Sequence, residues 1–176
     1  MKNILVLLSA AIFFFSCKKE ETPPLLRIPV TNLLFSVDPT FQPSFEYYIP
    51  INQVRTNALN LLNARGIDTA DIKSIRPGRA TLTVIFAQAD LGFIEAMSVR
   101  ICPLGQDQQN CGQEVFWRDP TPFNPGIDLD LVPSAVKDIR DFVLRDEINV
   151  QVVLERLRGF PNGSFDIVLD MDFEVR

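Results

Sequence analysis

Residues 165–175 read Phe165-Asp166-Ile167-Val168-Leu169-Asp170-Met171-Asp172-Phe173-Glu174-Val175. The odd-numbered positions are all apolar, and the even-numbered positions are Asp or Glu except for Val168. Successive side chains of a strand point to opposite faces of a sheet, so a period of two indicates a β-strand. This stretch is therefore predicted to place one face on a core and the other largely in water.

An earlier segment has the same period. The residues on one side of it are all apolar: Ile148, Val150, Val152 and Leu154. Between the two segments, residues 159–163 read Gly-Phe-Pro-Asn-Gly, which is typical of a turn. The two segments are predicted to pair as an antiparallel hairpin. Arg156 and Leu157 break the alternation, which predicts a bulge or an early end of the first strand.

The rest of the chain is predicted to be mainly β. Further short strands are expected at 33–37, 80–86, 97–101, 114–117 and 127–131, separated by segments with Pro or Gly. Two segments have a helical spacing of apolar residues instead: Val54, Ala58, Leu61 and Leu62 before Gly66, and Val136, Ile139, Phe142 and Val143 after Pro133. The predicted fold is an antiparallel two-sheet β-sandwich (Ig-like) with one or two short α-helices.

Composition excludes several functions. The chain has 176 residues, enough for one ordinary domain, with a net charge of −5 and no histidine. Without histidine, Ser-His and Cys-His catalysis and His-ligated zinc are excluded. The acidic balance argues against nucleic acid as a partner, because phosphate contacts need a basic face.

The N-terminus predicts export. Lys2 precedes an apolar run at 4–15, which is shorter than the roughly 20 residues that span a bilayer. Residues 1–16 are therefore interpreted as a signal peptide. Residues 17–27, with Thr22-Pro23-Pro24, are interpreted as a tether, and 28–176 as a single domain.

The residues at the predicted cleavage point are Phe14-Phe15-Ser16-Cys17. This segment resembles the lipobox of bacterial lipoproteins, most closely of the Bacteroidota type, in which signal peptidase II cuts before a lipid-modified cysteine. The resemblance implies lipidation of Cys17 and attachment to the outer membrane. The following Lys18, Lys19, Glu20 and Glu21 resemble the signal that carries such lipoproteins to the cell surface; a solvated charge run is the alternative interpretation.

Residues 72–84 and the last two predicted strands also resemble uncharacterised β-sandwich lipoproteins of the Bacteroidota type. That resemblance implies a fold and a location, and it implies no activity.

The cysteine count agrees with export. If Cys17 carries lipid, Cys102 and Cys111 remain, and an even remainder in an exported chain predicts a disulfide. A metal or redox pair is the alternative, which the spacing disfavours.

Candidate chemistry is sparse. Ser134 and Lys137 have the S-x-x-K spacing of penicillin-recognising enzymes, but the companion motifs are missing from the sequence. Five carboxylates on predicted outward strand faces could gather into a calcium site or act as a hydrolase acid and base: Asp128, Asp130, Asp170, Asp172 and Glu174. Solvated strand faces are favoured, and no metal, cofactor or catalytic residue is predicted.

Aromatic residues suggest a binding platform for a sugar or peptide. The candidates are Trp117 and Phe123, with Tyr47 and Tyr48 in addition. One of Phe116 and Trp117 must point away from the core of a strand, and the burial habits of aromatics favour Trp117 as the buried one. Residues 68–70, Asp-Thr-Ala, resemble a bacterial O-glycosylation signal, although Asp68 would equally well cap a short helical turn.

These observations predict a non-enzymatic, lipid-anchored lipoprotein of the outer membrane, on the cell surface or the periplasmic face. Its partners would be the membrane, through the N-terminal lipid, and a glycan or an envelope protein. The alternatives are a structural lipoprotein that associates with a membrane protein and, less favoured, a carboxylate-dependent hydrolase.

Overall fold

The computed structural model describes residues 23–85, 90–105, 109 and 111–176. The predicted signal peptide, Cys17 and Lys18 to Glu21 lie outside the described residues, as does Phe86 at the end of one predicted strand. The strands are β1 (Leu26–Val37), β2 (Tyr47–Arg55), β3 (Ile75–Val84), β4 (Ile94–Cys102), β5 (Gln113–Arg118), β6 (Asp128–Pro133), β7 (Glu147–Leu157) and β8 (Phe165–Val175). The helices are α1 (Ala58–Ala64) and α2 (Arg140–Val143), and 3₁₀ turns lie at Thr69–Asp71 and Leu91–Phe93.

The prediction of a mainly β, antiparallel fold with short helices is confirmed. The strands form one nearly closed, barrel-like sheet in the order β1-β8-β3-β6-β5-β4-β7-β2, and every pairing is antiparallel. A sandwich of two sheets is not confirmed, because Phe116 and Trp117 of β5 pair with Pro133 and Val132 of β6 and thereby join the two halves. We refer to β1-β8-β3-β6 as the first half and to β2-β7-β4-β5 as the second half.

Strand β8 has the bounds and the faces that its sequence predicts. Its inward side chains are all buried: Phe165, Ile167, Leu169, Met171, Phe173 and Val175. It lies between β1 and β3, so its backbone is paired on both edges. These side chains belong to one core cluster with the inward residues of the other strands.

The outward carboxylates of β8 support bulges in both neighbouring strands. Each neighbour gains one residue relative to β8, between Val30 and Leu33 in β1 and between Pro77 and Ala80 in β3. The backbone N–H of Asn32 donates to Asp170 Oδ1 at 2.7 Å, and that of Arg79 donates to Asp172 Oδ1 at 3.0 Å. A backbone N–H that a bulge removes from the hydrogen-bond ladder between two strands needs another acceptor. The side chains of Asp170 and Asp172 are these acceptors.

The predicted hairpin of the last two strands is wrong. Strand β7 pairs with β2 and β4 in the second half, whereas β8 pairs with β1 and β3 in the first half. The turn at 158–164 instead carries the chain across from one half to the other. Eight of the eleven residues of β7 are buried, which suits a strand that has neighbours on both edges. The predicted bulge near Arg156 is confirmed by the shifted register between Ala96 and Met97 of β4.

Other boundaries differ in detail. Strand β1 begins at Leu26, inside the range that the sequence assigns to the tether. The sequence pattern does not indicate β2 and places its residue Val54 in a helix, whereas α1 begins only at Ala58. In the second predicted helix, Val136 lies in an irregular segment and Ile139 immediately precedes α2. Both helices are shorter than their apolar stripes indicate.

The predicted disulfide between Cys102 and Cys111 is confirmed, with 5.4 Å between the two Cα atoms. Both cysteines are buried. Gly112 follows with a φ of +58°, and a Cβ there would lie 1.9 Å from the carbonyl oxygen of Ile101. Only glycine fits this close approach of two backbones.

The antiparallel order gives the sheet two distinct ends. The connections β1–β2, β3–β4, β5–β6 and β7–β8 lie at one end, which we call the loop end. The start of β1, the end of β8, both helices and the disulfide lie at the other, which we call the entry end. The part of the chain before Leu26 therefore joins the domain at the entry end.

Asp138 fastens α2 to the start of β3 at the entry end. Its Oδ1 accepts hydrogen bonds from the N–H groups of Ile75 and Arg140, each at 3.1 Å, and its Oδ2 accepts one from Arg140 Nε at 2.7 Å. Burial alone would raise the pKa of Asp138, but the two N–H donors and the guanidinium outweigh it and lower that pKa.

A lowered carboxyl pKa stabilises the folded state above the ordinary value of about 3.9 and stops doing so as the pH falls through the folded value. Asp138→Asn should therefore reduce the free energy of unfolding by about 1 kcal/mol at pH 7, with a smaller difference below pH 3.5. Urea unfolding across this pH range measures it. Asp141→Asn is the control, because Asp141 is exposed in the first turn of α2. Equal losses in the two variants would contradict the assignment.

Candidate functional site

Trp117 lies on the outer face of the sheet, and Phe116 fills the core. Phe116 is fully buried, whereas Trp117 is 37% exposed. The ring of Phe116 faces inward toward Phe173, with 6.4 Å between the ring centroids. The expectation that Trp117 would be the buried one is wrong. The reason is the register, which places Phe116 opposite the inward-facing Val99 and Trp117 opposite the outward-facing Ser98.

Trp117 belongs to a row of outward side chains that begins on β6 and crosses the second half. Directly paired residues of neighbouring antiparallel strands share a face. Trp117 pairs with Ser98 and with Val132, Ser98 pairs with Val153, and Val153 pairs with Tyr48. We call Val132, Trp117, Ser98, Val153 and Tyr48 the aromatic row.

The row has small residues in the middle and rings on either side. Ser98 and Val153 are each 2% exposed, although both point outward. Val153 is not part of the core cluster that contains its neighbours Val152 and Leu154. The side chains around it on the outer face must therefore cover it. At about 4.8 Å between strands, Trp117 and Tyr48 stand about 14 Å apart across three gaps.

Charged side chains border the row on both sides. Toward the loop end, Arg156 donates to Asp119 at 2.6 Å and lies 3.7 Å from Glu95. The hydrogen bond with Asp119 raises the pKa of Arg156. Toward the entry end, Arg100 donates from Nε to the carbonyl oxygen of Cys111 at 2.9 Å. The row is thus an uncharged strip between two fixed guanidinium groups.

Tyr48 belongs to the row, but Tyr47 does not. Tyr48 donates its hydroxyl to Glu46 at 2.5 Å. Tyr47 points to the opposite face, where its ring stacks on Phe41 with 4.0 Å between centroids. The ring of Tyr48 therefore belongs to the outer face, and the ring of Tyr47 belongs to the opposite face.

Phe123 lies apart from Trp117, at the loop end. It is 81% exposed, and one face of its ring rests on the guanidinium of Arg158, 4.6 Å from the ring centroid. It lines a shallow pocket of about 300 Å³ with Asp90, Arg158, Phe160 and Asn162. Trp117 does not line this pocket, so the two predicted platform residues belong to two different surfaces.

The outward carboxylates of the first half are engaged in local contacts. Asp130 and Asp128 accept from the hydroxyls of Thr81 and Thr83 at 2.8 and 2.7 Å. Arg27 pairs with Asp172 at 3.2 Å and with Glu174 at 2.7 Å. Among the described residues, no three His, Cys, Asp or Glu side chains are placed to share a metal ion.

The remaining motifs have structural roles. Ser134 precedes α2 and donates to the carbonyl oxygen of Glu114 at 2.9 Å, and Lys137 is exposed. The two do not share a helical turn, which the S-x-x-K chemistry needs.

Asp68 accepts from the N–H of Ala70 at 2.9 Å and caps a 3₁₀ turn, as expected for a capping residue.

The sequence interpretation missed Ser98, Val132 and Val153. The available signal was Val153, because it is the apolar residue among the polar ones on the outward side of its strand. An apolar side chain at an outward position indicates a second contact surface. Ser98 has no such signal, since serine is ordinary on a solvated face.

Comparisons of the chain with protein-family models, with curated proteins and with solved structures found no significant match. Within the described ranges, none of the helices has the length and apolar character needed to cross a bilayer.

Replacing Phe116 and Trp117 by alanine, one at a time, should lower the free energy of unfolding by unequal amounts. Phe116→Ala is expected to lower the free energy of unfolding by about 3–5 kcal/mol, because it opens a cavity in the core. Trp117→Ala should lower it by only about 1 kcal/mol, because the ring lies on the surface. Urea denaturation measures both. A larger loss for Trp117→Ala would contradict the outward orientation.

Proposed function

We propose that this protein is an exported, lipid-anchored and non-enzymatic module of the bacterial outer membrane that binds a glycan chain. The observation that carries the proposal is the aromatic row, in which Trp117 and Tyr48 flank the small residues Ser98 and Val153 on one outward face. The proposal includes the finer fold interpretation, in which the two halves stack as the layers of a sandwich.

The chemistry of the row suits a saccharide. A pyranose ring has an apolar C–H face and a rim of hydroxyls. Flat aromatic side chains offer a large contact area to the apolar face at low entropic cost. The small residues between the rings, Ser98 and Val153, are each only 2% exposed, so a linear chain would contact the two rings and the side chains that cover these residues. The guanidinium of Arg100 and the carboxylate of Glu114 lie on the next row, where they can bond hydroxyls.

The absence of catalysis is part of the proposal. A carboxylate acid and base need two groups across a cleft with different proton affinities. The outward carboxylates of β8 are instead bound to bulge N–H groups and to Arg27. The contacts of these carboxylates are accounted for by structural roles, so we assign them no catalytic role.

The lipid anchor rests on the motif around Cys17. An acylated cysteine with more than one chain gives stable attachment, whereas a single chain binds only reversibly. Described residues begin at Pro23 and enter β1 at the entry end. In this arrangement the entry end would be nearest the bilayer, and the aromatic row would stand on the side of the domain.

Glycan binding can be followed directly, because Trp117 is the single tryptophan of the chain. We expect a linear oligosaccharide, tested as a panel of β-linked glucose, xylose, mannose and N-acetylglucosamine hexamers, to change the fluorescence of the full-length protein in detergent. Tyr48→Ala should weaken that binding about tenfold or more, because it removes one stacking ring.

Two controls accompany this test. Tyr48→Phe should retain binding, since it keeps the ring, and Phe123→Ala should retain it because Phe123 lies on another surface. A panel in which no hexamer changes the fluorescence, or in which Tyr48→Ala binds as well as the native protein, would refute a glycan site on the row.

Surface display has its own test. An epitope-tagged full-length protein should be digested by protease added to intact cells, and a variant with Lys18, Lys19, Glu20 and Glu21 replaced by alanine should be protected. Digestion is measured by immunoblot, with a periplasmic marker as the control for cell integrity. Protection of both forms would contradict display outside the cell and place the domain in the periplasm.

A further inference from the structure

The loop end carries a concentration of exposed apolar side chains. Half of the large exposed apolar residues of the described chain lie there: Phe45, Ile85, Phe123, Ile127 and Phe160. We call these five residues the loop-end patch. Isolated exposed apolar residues are ordinary, but several together indicate a contact surface.

Contacts between loops connect members of the patch. Phe123 and Phe160, which are 81% and 61% exposed, line the same shallow pocket. The N–H of Val84 donates to the carbonyl oxygen of Ile127 at 2.8 Å, which joins the backbone of the β3–β4 connection to that of the β5–β6 connection. Three of the four connections that carry the patch are thus held together, and Phe45 lies in the fourth, between β1 and β2.

Arg158 holds this surface in place. Its guanidinium donates to the carbonyl oxygens of Ile94 and Pro122 at 3.0 Å each and also contacts Thr121. The same guanidinium also supports the ring of Phe123. A preorganised surface loses little conformational entropy on binding.

Five carboxylates lie at the same end of the sheet, on the strand ends and loops that carry the patch: Asp38, Glu46, Asp90, Asp128 and Asp166. Their hydrogen bonds come from hydroxyls and backbone N–H groups, namely those of Thr40, Tyr48, Gly92, Thr83 and Ser36. These neutral donors leave the negative charge in place. Three arginines lie at the same end: Arg156 pairs with Asp119 and Glu95, Arg158 donates to neutral carbonyl oxygens beside Phe123, and Arg118 ends β5. The carboxylates outnumber them, so the surroundings of the patch are acidic on balance.

We infer that the loop-end patch docks a protein whose contact surface has an apolar centre and a rim of Lys and Arg. Opposite charges across an interface favour association, and like charges oppose it. A second copy of this chain would meet the same carboxylates, and an anionic bilayer or a nucleic acid would be repelled as well. This inference goes beyond the proposed glycan binding and does not depend on the aromatic row.

The first part of the test locates the partner. p-Benzoylphenylalanine is introduced at position 160 of the full-length protein in the cells that make it, and at position 59 as the control. Leu59 is also exposed, but it lies on α1 at the entry end. We expect one adduct from position 160 and none from position 59, with a partner that mass spectrometry identifies and that has a basic contact surface.

The second part measures the purified pair. Phe123→Ser/Phe160→Ser should weaken binding about tenfold or more, since central apolar residues carry most of the affinity of an interface. Glu46→Gln/Asp128→Asn should weaken it less, and raising the salt from about 0.05 to 0.5 M should weaken native binding through screening. Trp117→Ala should leave it unchanged, which separates this surface from the aromatic row.

Several outcomes would overturn the inference. These are the absence of an adduct at position 160, an equal adduct at position 59, an adduct with a second copy of the chain, or binding that salt does not affect. Retention of the native protein, but not of Phe123→Ser/Phe160→Ser, on vesicles of phosphatidylethanolamine with 30% phosphatidylglycerol would assign the patch to a membrane instead.

Discussion

The outward aspartates of β8 hold the first half of the sheet in its register. Asp170 and Asp172 accept N–H groups that the bulges in β1 and β3 remove from the ladder. Both donors are exposed, so without these acceptors they would bond to water, and each hydrogen bond to an aspartate contributes about 0.5–1.5 kcal/mol net. The inward face of the same strand fills the core. One alternating sequence therefore determines both the packing and the backbone pairing of its neighbours.

Alternation in sequence determines faces but not partners. It predicted β8 to its exact bounds, because a strict period of two has only one interpretation. It did not predict that β7 pairs with β2 and β4, because the apolar face of a strand packs equally well beside several neighbours. Strand β2 was missed for a related reason. Its bulge at Asn52 and Gln53 and the edge residue Pro50 interrupt the period, and both features are common in edge strands.

In the candidate site, too, the sequence does not determine which residues become neighbours. The sequence indicated that one of Phe116 and Trp117 points outward, but the choice depends on which face of β4 each of them meets. Tyr48, Val153, Ser98 and Trp117 come from four separate strands, and only the strand order makes them a row. Phe123 follows Trp117 closely in sequence, yet the turn after β5 takes it to the loop end. Residue type predicted the candidates, and topology decided which of them meet.

The two halves of the sheet are built alike and differ in what their outer faces can bind. In each half, the edge strand has a bulge whose N–H is accepted by a side chain of the next strand, Asn32 by Asp170 and Gln53 by Asn149. On the first half, the outward carboxylates bond to threonines, arginines and bulges of the same face. Each of these carboxylates thus has at least one partner within the fold. The second half instead presents the rings of Trp117 and Tyr48, which offer contact area rather than charge. The same backbone arrangement thus gives one face that stabilises the domain and another whose chemistry suits recognition.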